Sequence, residues 1–270
     1  MAKEGRAPGR GPSAAVVIVI PARYASTRLP GKPLLQVDGK YLLQYVWEQA
    51  SKSRLASRVV IATDDARIID AARSFGADAE MTSASHQSGT DRIAELVRAG
   101  KLDAAIIVNV QGDEPEIAPD NIDAAISLLV DDERADIATL VTPIASISEY
   151  ENPNAVKAVV APDGFALYFS RARVPFVRDG IDETADFGAL GIYRHLGLYA
   201  YRREALVSFS AAPASRLEKL EKLEQLRALE LGLRIKTVVT LDAPAGIDTE
   251  EDFRAFVERR RRSGGGGGKR

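Results

Sequence analysis

Short runs of branched apolar residues alternate with amphipathic stretches along most of the chain. The apolar run at residues 16–20 is typical of a strand that is buried on both faces. From about Tyr41 the apolar residues recur at helical spacing, as in Leu42, Leu43 and Val46. Such an alternation predicts a parallel sheet with right-handed crossovers. On this pattern, strands are predicted at 16–20, 58–63, 79–82, 104–110, 136–143 and 233–241, and helices at 41–51, 66–75, 88–98, 119–130, 215–231 and 248–259.

The pattern changes near Asn152. Two apolar segments, 155–160 and 165–169, are separated by Asp163-Gly164, which predicts a hairpin, and a further strand is expected within 191–201. This part reads as an antiparallel α+β subdomain inserted in the sheet. The predicted organisation is an α/β domain at 14–152 and 233–260, the inserted subdomain at 153–232, a disordered tail at 1–13 and a flexible glycine-rich tail at 263–270.

The loop after the first predicted strand carries Arg23, Arg28 and Lys32. Arginine offers a fork of donors to phosphate oxygens, lysine offers a point charge, and Gly31 allows close approach of the backbone. In an open α/β sheet this loop lies at the carboxyl end of a strand, where ligands bind. The loop therefore predicts a polyphosphate site, with a solvated basic loop as the alternative. It is not a P-loop, because Lys32 is followed by Pro33.

Two aspartates are candidate metal ligands. Asp113 follows a buried apolar run, so we expect it at the same sheet edge as the cationic loop, where a hard oxygen ligand suits Mg²⁺. The alternative is a turn aspartate that bonds its own backbone. Asp248 stands between a predicted strand and the last helix. From the residues alone its default interpretation is an N-cap, with Glu251 in the capping-box position.

Two histidines lie near arginines. His86 and Arg92 belong to a polar loop at a predicted helix start, where free N–H groups suit an anion or a base edge, although His86 itself is typical of a loop or cap histidine. His195 follows Arg194, a pairing that suits an acidic ligand. A buried structural histidine is the alternative.

Glu218 and Glu221 fall on one face of the helix predicted at 215–231. Their carboxylates suit the hydroxyls of a polyol, and a solvated helix face is the alternative. Leucines recur at every third position of this helix, which indicates burial on more than one side, as at a subunit interface. They are Leu217, Leu220, Leu223, Leu226 and Leu229.

Composition narrows the function. The chain has 270 residues, a net charge of -2 and no cysteine. The net charge argues against non-specific binding of nucleic acid. The lack of cysteine excludes disulfides, thiol catalysis and Cys-ligated metals, and it fits a cytoplasmic protein. No apolar run approaches the ~20 residues of a membrane span. No nucleophilic triad is visible, and metal-assisted phosphoryl or nucleotidyl transfer fits best.

Eight segments carry distinctive motifs. They are Ile20-Pro-Ala-Arg-Tyr-Ala-Ser-Thr-Arg-Leu-Pro-Gly-Lys-Pro33, His86-Gln-Ser-Gly-Thr-Asp-Arg92, Val108-Asn-Val-Gln-Gly-Asp-Glu-Pro115, Asn152-Pro-Asn-Ala-Val-Lys157, Ala166-Leu-Tyr-Phe-Ser-Arg171, Arg194-His-Leu-Gly197, Leu223-Glu-Gln-Leu-Arg227 and Gly246-Ile-Asp-Thr-Glu-Glu-Asp252. In order and spacing they resemble the 3-deoxy-manno-octulosonate (Kdo) cytidylyltransferases, also called CMP-Kdo synthetases. The resemblance covers about residues 16–258.

The resemblance implies a reaction and a fold. CTP and Kdo give CMP-Kdo and diphosphate with Mg²⁺, for lipopolysaccharide biosynthesis. The implied fold is a Rossmann-like nucleotidyltransferase of the glycosyltransferase-A-like kind, in which residues 14–152 and 233–260 bind the nucleotide and residues 153–232 bind the sugar and dimerise. CTP and Kdo are thus the expected partners of a cytoplasmic homodimer, without nucleic acid or membrane. A cytidylyltransferase for 8-amino-Kdo or another acid sugar remains the alternative.

The resemblance also assigns residues. It makes Arg23, Lys32, Asp113 and Asp248 catalytic, with both aspartates on Mg²⁺, which replaces the N-cap interpretation of Asp248. Nucleotide contacts are expected from Pro21, Ala22, Arg23, Arg28, Lys32, Arg92 and Gln111. Sugar contacts are expected from Gln111, Arg171, His195, Tyr199, Glu218 and Glu221.

Overall fold

A computed structural model describes residues 15–25, 29–243 and 246–264 of the chain. The predicted tail at 1–13 and Arg28 lie outside the described residues. Of the predicted tail at 263–270, residues 263 and 264 belong to the last helix, and the rest lies outside. No helix within the described ranges is long and apolar enough to span a membrane.

The elements follow the predicted alternation. The strands are β1 (Val16–Ala22), β2 (Gln36–Val37), β3 (Lys40–Tyr41), β4 (Arg58–Thr63), β5 (Asp78–Met81), β6 (Ile106–Asn109), β7 (Ile137–Pro143), β8 (Lys157–Val160), β9 (Ala166–Ser170), β10 (Tyr193–Arg202) and β11 (Ile235–Val239). The helices are α1 (Leu42–Ala50), α2 (Ala66–Ser74), α3 (Gly89–Arg98), α4 (Pro119–Asp131), α5 (Ile147–Glu151), α6 (Arg203–Ala211), α7 (Arg216–Glu221), α8 (Glu224–Glu230) and α9 (Glu250–Gly264).

The large sheet has the strand order β11-β7-β10-β6-β1-β4-β5. β1 pairs in parallel with β4 and β6, as do β4 with β5 and β11 with β7. β10 runs antiparallel between β6 and β7. The predicted Rossmann-like α/β fold with a mostly parallel sheet is therefore confirmed.

The hairpin predicted near Asp163-Gly164 is formed by β8 and β9. β8 also pairs with β10, and β10 continues into the centre of the large sheet. β10 thus belongs to the large sheet by pairing, although it lies in the predicted 153–232 subdomain. The division into two domains stays a prediction.

The prediction of a single helix at 215–231 was wrong. It is two helices, α7 and α8, separated by Lys222 and Leu223, and the φ of 55° at Lys222 lies in the left-handed region. Ser215 and Glu218 form a capping box at the start of α7. Because of the break, Leu223 is buried whereas Leu220 is 70% exposed.

The start of the last helix also differs from the predicted cap. Thr249, not Asp248, accepts a hydrogen bond from the backbone N–H of Asp252 at 3.2 Å. The Asp252 carboxylate in turn accepts from the N–H groups of Asp248 and Thr249, at 3.0 and 2.8 Å. The Asp248 carboxylate is therefore not used as the cap of α9.

The core lies on both faces of the sheet. Val16, Ile18 and Ile20 pack into one buried cluster, and Val17 and Val19 into the other. This two-sided burial is the physical reason for a continuous apolar run in β1. It fixes the end of β1, from which the cationic loop departs.

Two residues of β9, Phe169 and Leu167, allow a test of the packing in the buried cluster that contains Val17 and Val19. Phe169 is fully buried and its ring lies 5.1 Å from that of His195, whereas Leu167 is 61% exposed. We expect Phe169→Ala to lower the free energy of unfolding by about 3–5 kcal/mol, because a large cavity opens. Leu167→Ala should cost less than about 1 kcal/mol. Urea unfolding measures both, and similar costs for the two variants would contradict this packing.

Candidate active site

A polar cleft lies at the carboxyl end of β1, and we call it the Lys32 cleft. It brings together the loop after β1, the turn after β6 and the segment before α9. Its volume is about 380 Å³. It is lined by Pro21, Ala22, Arg23, Ala25, Lys32, Pro33, Gln111, Gly112, Asp113 and Asp248. The sheet thus brings together most of the residues predicted to bind the nucleotide, as expected at the carboxyl edge of parallel strands.

The Lys32 ammonium joins these segments. Its Nζ donates to Asp113 Oδ2 at 2.8 Å, to Asp248 Oδ1 at 3.1 Å and to the carbonyl of Ile247 at 2.9 Å. The Lys32 side chain is only 14% exposed, while the two aspartates are 30% and 45% exposed. The carboxylates are therefore open to the cleft and lie close to one common point.

The two carboxylates fit one divalent metal. Asp113 and Asp248 supply hard oxygen ligands near a common point. Within the part of the chain that the structure describes, no group of three or more His, Cys, Asp or Glu residues could hold a metal. Mg²⁺ typically takes one or two carboxylates together with waters and substrate phosphates. The residues therefore fit a magnesium ion that is also held by a phosphate ligand, rather than an all-protein cage.

Glu114 adds a carboxyl group with altered acidity beside this pair. Burial, together with the neighbouring Asp113 carboxylate, raises its pKa to about 7. Near neutral pH Glu114 is therefore partly protonated, which limits the negative charge beside Asp113.

Pro21 is held between two glycines. A Cβ on Gly112 would lie 2.8 Å from the Pro21 carbonyl oxygen, and a Cβ on Gly89 would lie 2.9 Å from Pro21 Cγ. Both approaches are too close for any side chain, so both positions require glycine. Sequence reasoning did not single out these glycines, although both lie inside the quoted motifs.

The predicted cations are placed differently from one another. Arg23 lines the cleft and its Nη2 donates to the carbonyl of His86 at 2.6 Å. Arg28 lies outside the described residues. Arg92 was expected at the nucleotide, but its side chain is fully buried, where it bonds Asp64 at 2.9 Å and the hydroxyl of Thr82. The structure does not bring Arg92 to the cleft, because its donors face these internal partners.

A second cleft, the His195 cleft, adjoins the first at Gln111, which lines both. Its volume is about 340 Å³. The Gln111 amide donates to the carbonyl of Gly197 at 3.3 Å, so this side chain stands at the junction. The lining residues are Gln87, Ser88, Gly89, Thr90, Asn109, Gln111, Val156, His195, Gly197, Tyr199, Lys222, Leu223, Glu224 and Gln225.

His195 lines this cleft. Burial, together with the Arg194 charge, lowers the pKa of its imidazole to about 3. The ring is hydrogen-bonded to the hydroxyl of Thr139 at 3.0 Å and lies 5.2 Å from the ring of Tyr199. Burial also raises the pKa of the Tyr199 phenol. Both groups are therefore neutral hydrogen-bonding partners near pH 7.

Three predicted sugar contacts do not line the His195 cleft. Glu221 accepts from Ser170 Oγ and from the N–H of Arg171, both at 2.7 Å, and Arg171 Nε donates back to the Glu221 carbonyl at 2.7 Å. Glu218 accepts from the N–H of Ser215 at 3.0 Å and pairs with Arg227 at 3.2 Å. These groups join α7 to β9 and to α8, so the structure does not bring them into the His195 cleft, and their contact with the sugar stays a prediction.

The cleft contains polar residues that sequence reasoning did not assign. Glu224 accepts from Thr90 Oγ1 at 3.0 Å, and burial raises the pKa of its carboxyl group. Asn109, at the end of β6, is only 2% exposed, and its Oδ1 has no hydrogen-bond partner among the described residues. Gln225 follows Glu224 in the cleft wall. The sequence contained a signal for these residues, because these polar side chains interrupt apolar motifs.

Gly112→Ala tests the close approach to Pro21. Since the new Cβ would meet the Pro21 backbone oxygen at 2.8 Å, either the end of β1 or the turn after β6 must move. We expect turnover to fall by about 10²-fold, because a displacement of about 1 Å is enough to disturb the reacting geometry. Initial rates of the enzymatic reaction measure the loss of turnover, and circular dichroism checks that the variant is folded. A folded variant with normal turnover would show that the approach is not required.

His195→Asn tests the neutral imidazole. Below pH 6.5 the unfolded chain binds a proton here, whereas the folded protein does so only near pH 3, so the wild-type stability falls as the pH falls. Since the ring is partly exposed to the cleft, we expect the stability difference between wild type and variant to shift by about 1–2 kcal/mol between pH 7 and pH 5. Urea unfolding at both pH values measures it. An unchanged difference would mean that the imidazole titrates normally.

Comparisons with known proteins identify the family of this chain. A family model described as cytidylyltransferase matches residues 17–235. A 3-deoxy-manno-octulosonate cytidylyltransferase of Syntrophotalea carbinolica is 49% identical over 239 residues, which cover 88% of this chain and 95% of that protein. The enzymes of the same name from Geobacter sulfurreducens and Rhodopirellula baltica are 48% and 50% identical, each over 90% of this chain and over 98% and 97% of their own length.

A solved structure of CMP:2-keto-3-deoxy-manno-octonic acid synthetase complexed with CTP is also similar. It is 40% identical, has a TM-score of 0.86 and covers 93% of this chain and 100% of its own. A 4-diphosphocytidyl-2C-methyl-D-erythritol synthase from Anaerococcus prevotii, 12% identical with a TM-score of 0.61, shares the fold alone. The chain therefore belongs to the cytidylyltransferase family, and its curated relatives are the 3-deoxy-manno-octulosonate cytidylyltransferases.

Proposed function

We propose that this protein transfers the cytidylyl group of CTP to Kdo with Mg²⁺, giving CMP-Kdo and diphosphate. The observation that carries the proposal is the Lys32 ammonium between the carboxylates of Asp113 and Asp248, in a cleft that Gln111 joins to a second polar cleft. Relatives about half identical bear the name of this activity.

The Lys32 cleft is the proposed CTP site. Arg23 and Lys32 line it and suit the charge of a triphosphate, and Arg28 is the third proposed cation. In the transfer, charge develops on the α-phosphate and on the leaving diphosphate. Cations fixed before the reaction stabilise that charge most effectively. Gly112 and Gly89 keep Pro21 in place, so that the backbone of Pro21 and Ala22 can approach the nucleotide.

Cytidylyltransferases typically use a divalent metal, and Mg²⁺ is the ion that we propose here. Asp113 and Asp248 would hold it, and when bound it would neutralise phosphate charge and polarise a phosphoryl oxygen. The Lys32 ammonium already donates to Asp113, Asp248 and the Ile247 carbonyl, so it would act on the phosphates as a fixed positive charge beside them. Near neutral pH the partly protonated Glu114 carries only part of a negative charge.

The His195 cleft is the proposed site of the acid sugar. Glu224 offers an acceptor, and the neutral His195 and Tyr199 offer hydrogen bonds to sugar hydroxyls. Gln111 stands where the two clefts meet, which suits contact with both substrates. The anomeric hydroxyl of the sugar would then attack the α-phosphorus as diphosphate leaves on the opposite side.

We also propose a cytoplasmic homodimer that serves lipopolysaccharide biosynthesis. The absence of cysteine supports the compartment. The 153–232 range supports the dimer, because it contains several of the large apolar side chains that are exposed in the single chain. They are Leu167, Phe176, Leu190, Leu220 and Leu231.

Diphosphate release tests the proposal. CTP and Mg²⁺ are supplied with Kdo, 8-amino-Kdo or N-acetylneuraminate in parallel. We expect release with Kdo. Release with only one of the other sugars would overturn the sugar assignment while keeping the nucleotide site, and no release with any of them would overturn the proposed function.

Asp113→Asn tests the metal assignment. The amide keeps the shape but removes the charge, so we expect turnover to fall by about 10²–10³-fold. Asp103→Asn is the matched control, because Asp103 is fully exposed and lies outside both clefts. Diphosphate release at saturating Mg²⁺ compares the two. Normal turnover of the Asp113 variant would defeat the assignment.

A further inference from the structure

The His195 cleft has an unusual charge balance for a site that receives an acid sugar. Near neutral pH the imidazole of His195 is neutral. The cleft also contains the carboxyl group of Glu224, whose pKa is raised by burial. Arg194 pairs with Glu149 at 2.8 Å and is not part of the lining. Among the described residues that line this cleft, Lys222 is the one with a cationic side chain.

Arg171, the cation that the resemblance suggested for the sugar, is otherwise engaged. Its Nε donates to the Glu221 carbonyl at 2.7 Å, its Nη1 to the Pro153 carbonyl at 2.9 Å and its Nη2 to the Lys222 carbonyl at 3.4 Å. The guanidinium thus holds the α7–α8 junction. It acts on the backbone of Lys222 rather than in the lining of the cleft.

The backbone of Lys222 is fixed in a conformation that side chains rarely adopt. Its φ is 55°, and its N–H donates to the Glu218 carbonyl at 2.7 Å. Lys222 is the C-cap of α7, and helices commonly end on a left-handed residue, so the end of α7 fixes the backbone of Lys222. The Lys222 side chain is exposed, and within the described ranges its ammonium forms no ion pair or hydrogen bond.

Asn109 gives independent evidence that the cleft is built for a polar ligand. It is 2% exposed, lines the cleft, and its Oδ1 lacks a hydrogen-bond partner among the described residues. A buried acceptor without a partner is costly, so a donor from a ligand is expected there. A polyhydroxy acid provides hydroxyl donors for Asn109 and a carboxylate for a cation.

We propose that Lys222 binds the carboxylate of the acid sugar. The inference rests on the proposed function, in which the acid sugar occupies the His195 cleft. The held backbone at the α7–α8 junction places the side chain at the cleft wall, and the flexible stem of lysine lets its point charge follow the carboxylate. Lys222 is then a specificity-determining residue, because a neutral sugar would leave its charge without a partner.

Lys222→Met removes the charge while keeping a long side chain. We expect the KM for Kdo to rise about 10–100-fold, as for a lost charge-assisted hydrogen bond, with kcat and the KM for CTP changed less than about threefold. Lys222→Arg should keep the KM for Kdo within about fivefold. Lys219→Met is the matched control, because Lys219 is an exposed lysine of α7 outside the cleft lining.

The carboxamide of Kdo separates charge recognition from a structural effect. Wild type should use the carboxamide poorly, and Lys222→Met should use it as well as wild type does, since no charge remains to be paired. Equal losses on Kdo and on the carboxamide would overturn the inference in favour of a structural role.

An unchanged KM for Kdo in Lys222→Met, with an active wild type, would likewise overturn the inference and leave the proposed function standing. No release of diphosphate by wild type with Kdo would instead overturn the proposed function. The two failures are therefore distinguishable in one set of assays.

Discussion

The structure of the active site depends on the contact of one ammonium group with two carboxylates. Lys32 bonds Asp113, 81 positions further along the chain, and Asp248, 216 positions further along. These contacts hold the loop after β1, the turn after β6 and the start of α9 around one cleft. Without a cation between them, two carboxylates this close would repel each other, so Lys32 also keeps the proposed metal site in shape before a metal binds.

The sheet provides the rigid support for this contact. β1 is buried on both faces, and Pro21, the residue before its last, lies in close contact with Gly89 and Gly112. The antiparallel strand β10 then pairs Tyr199 with Asn109 at the end of β6, and it carries His195 into the same cleft. The two clefts therefore meet at Gln111, which suits a transfer between two substrates that are positioned side by side.

The sequence predicted the architecture and the Lys32 cleft, because apolar periodicity and motif order report directly on buried strands and on the loops that follow them. It could not predict which charged side chains face a ligand. Other residues of the protein, from distant segments or from a helix start, bond to the charged side chains of Arg92, Glu218 and Glu221. The break at Lys222 was also missed, because leucine spacing continued across it. The polar lining of the His195 cleft instead includes Asn109, Glu224 and Lys222.

The most direct test of the central claim is a crystal structure of the protein with CTP and Mn²⁺, in which anomalous scattering locates the metal. The account predicts one manganese within ligand distance of both Asp113 and Asp248, with the triphosphate against Arg23 and Lys32. Manganese bound away from these carboxylates, or a triphosphate outside the Lys32 cleft, would contradict it.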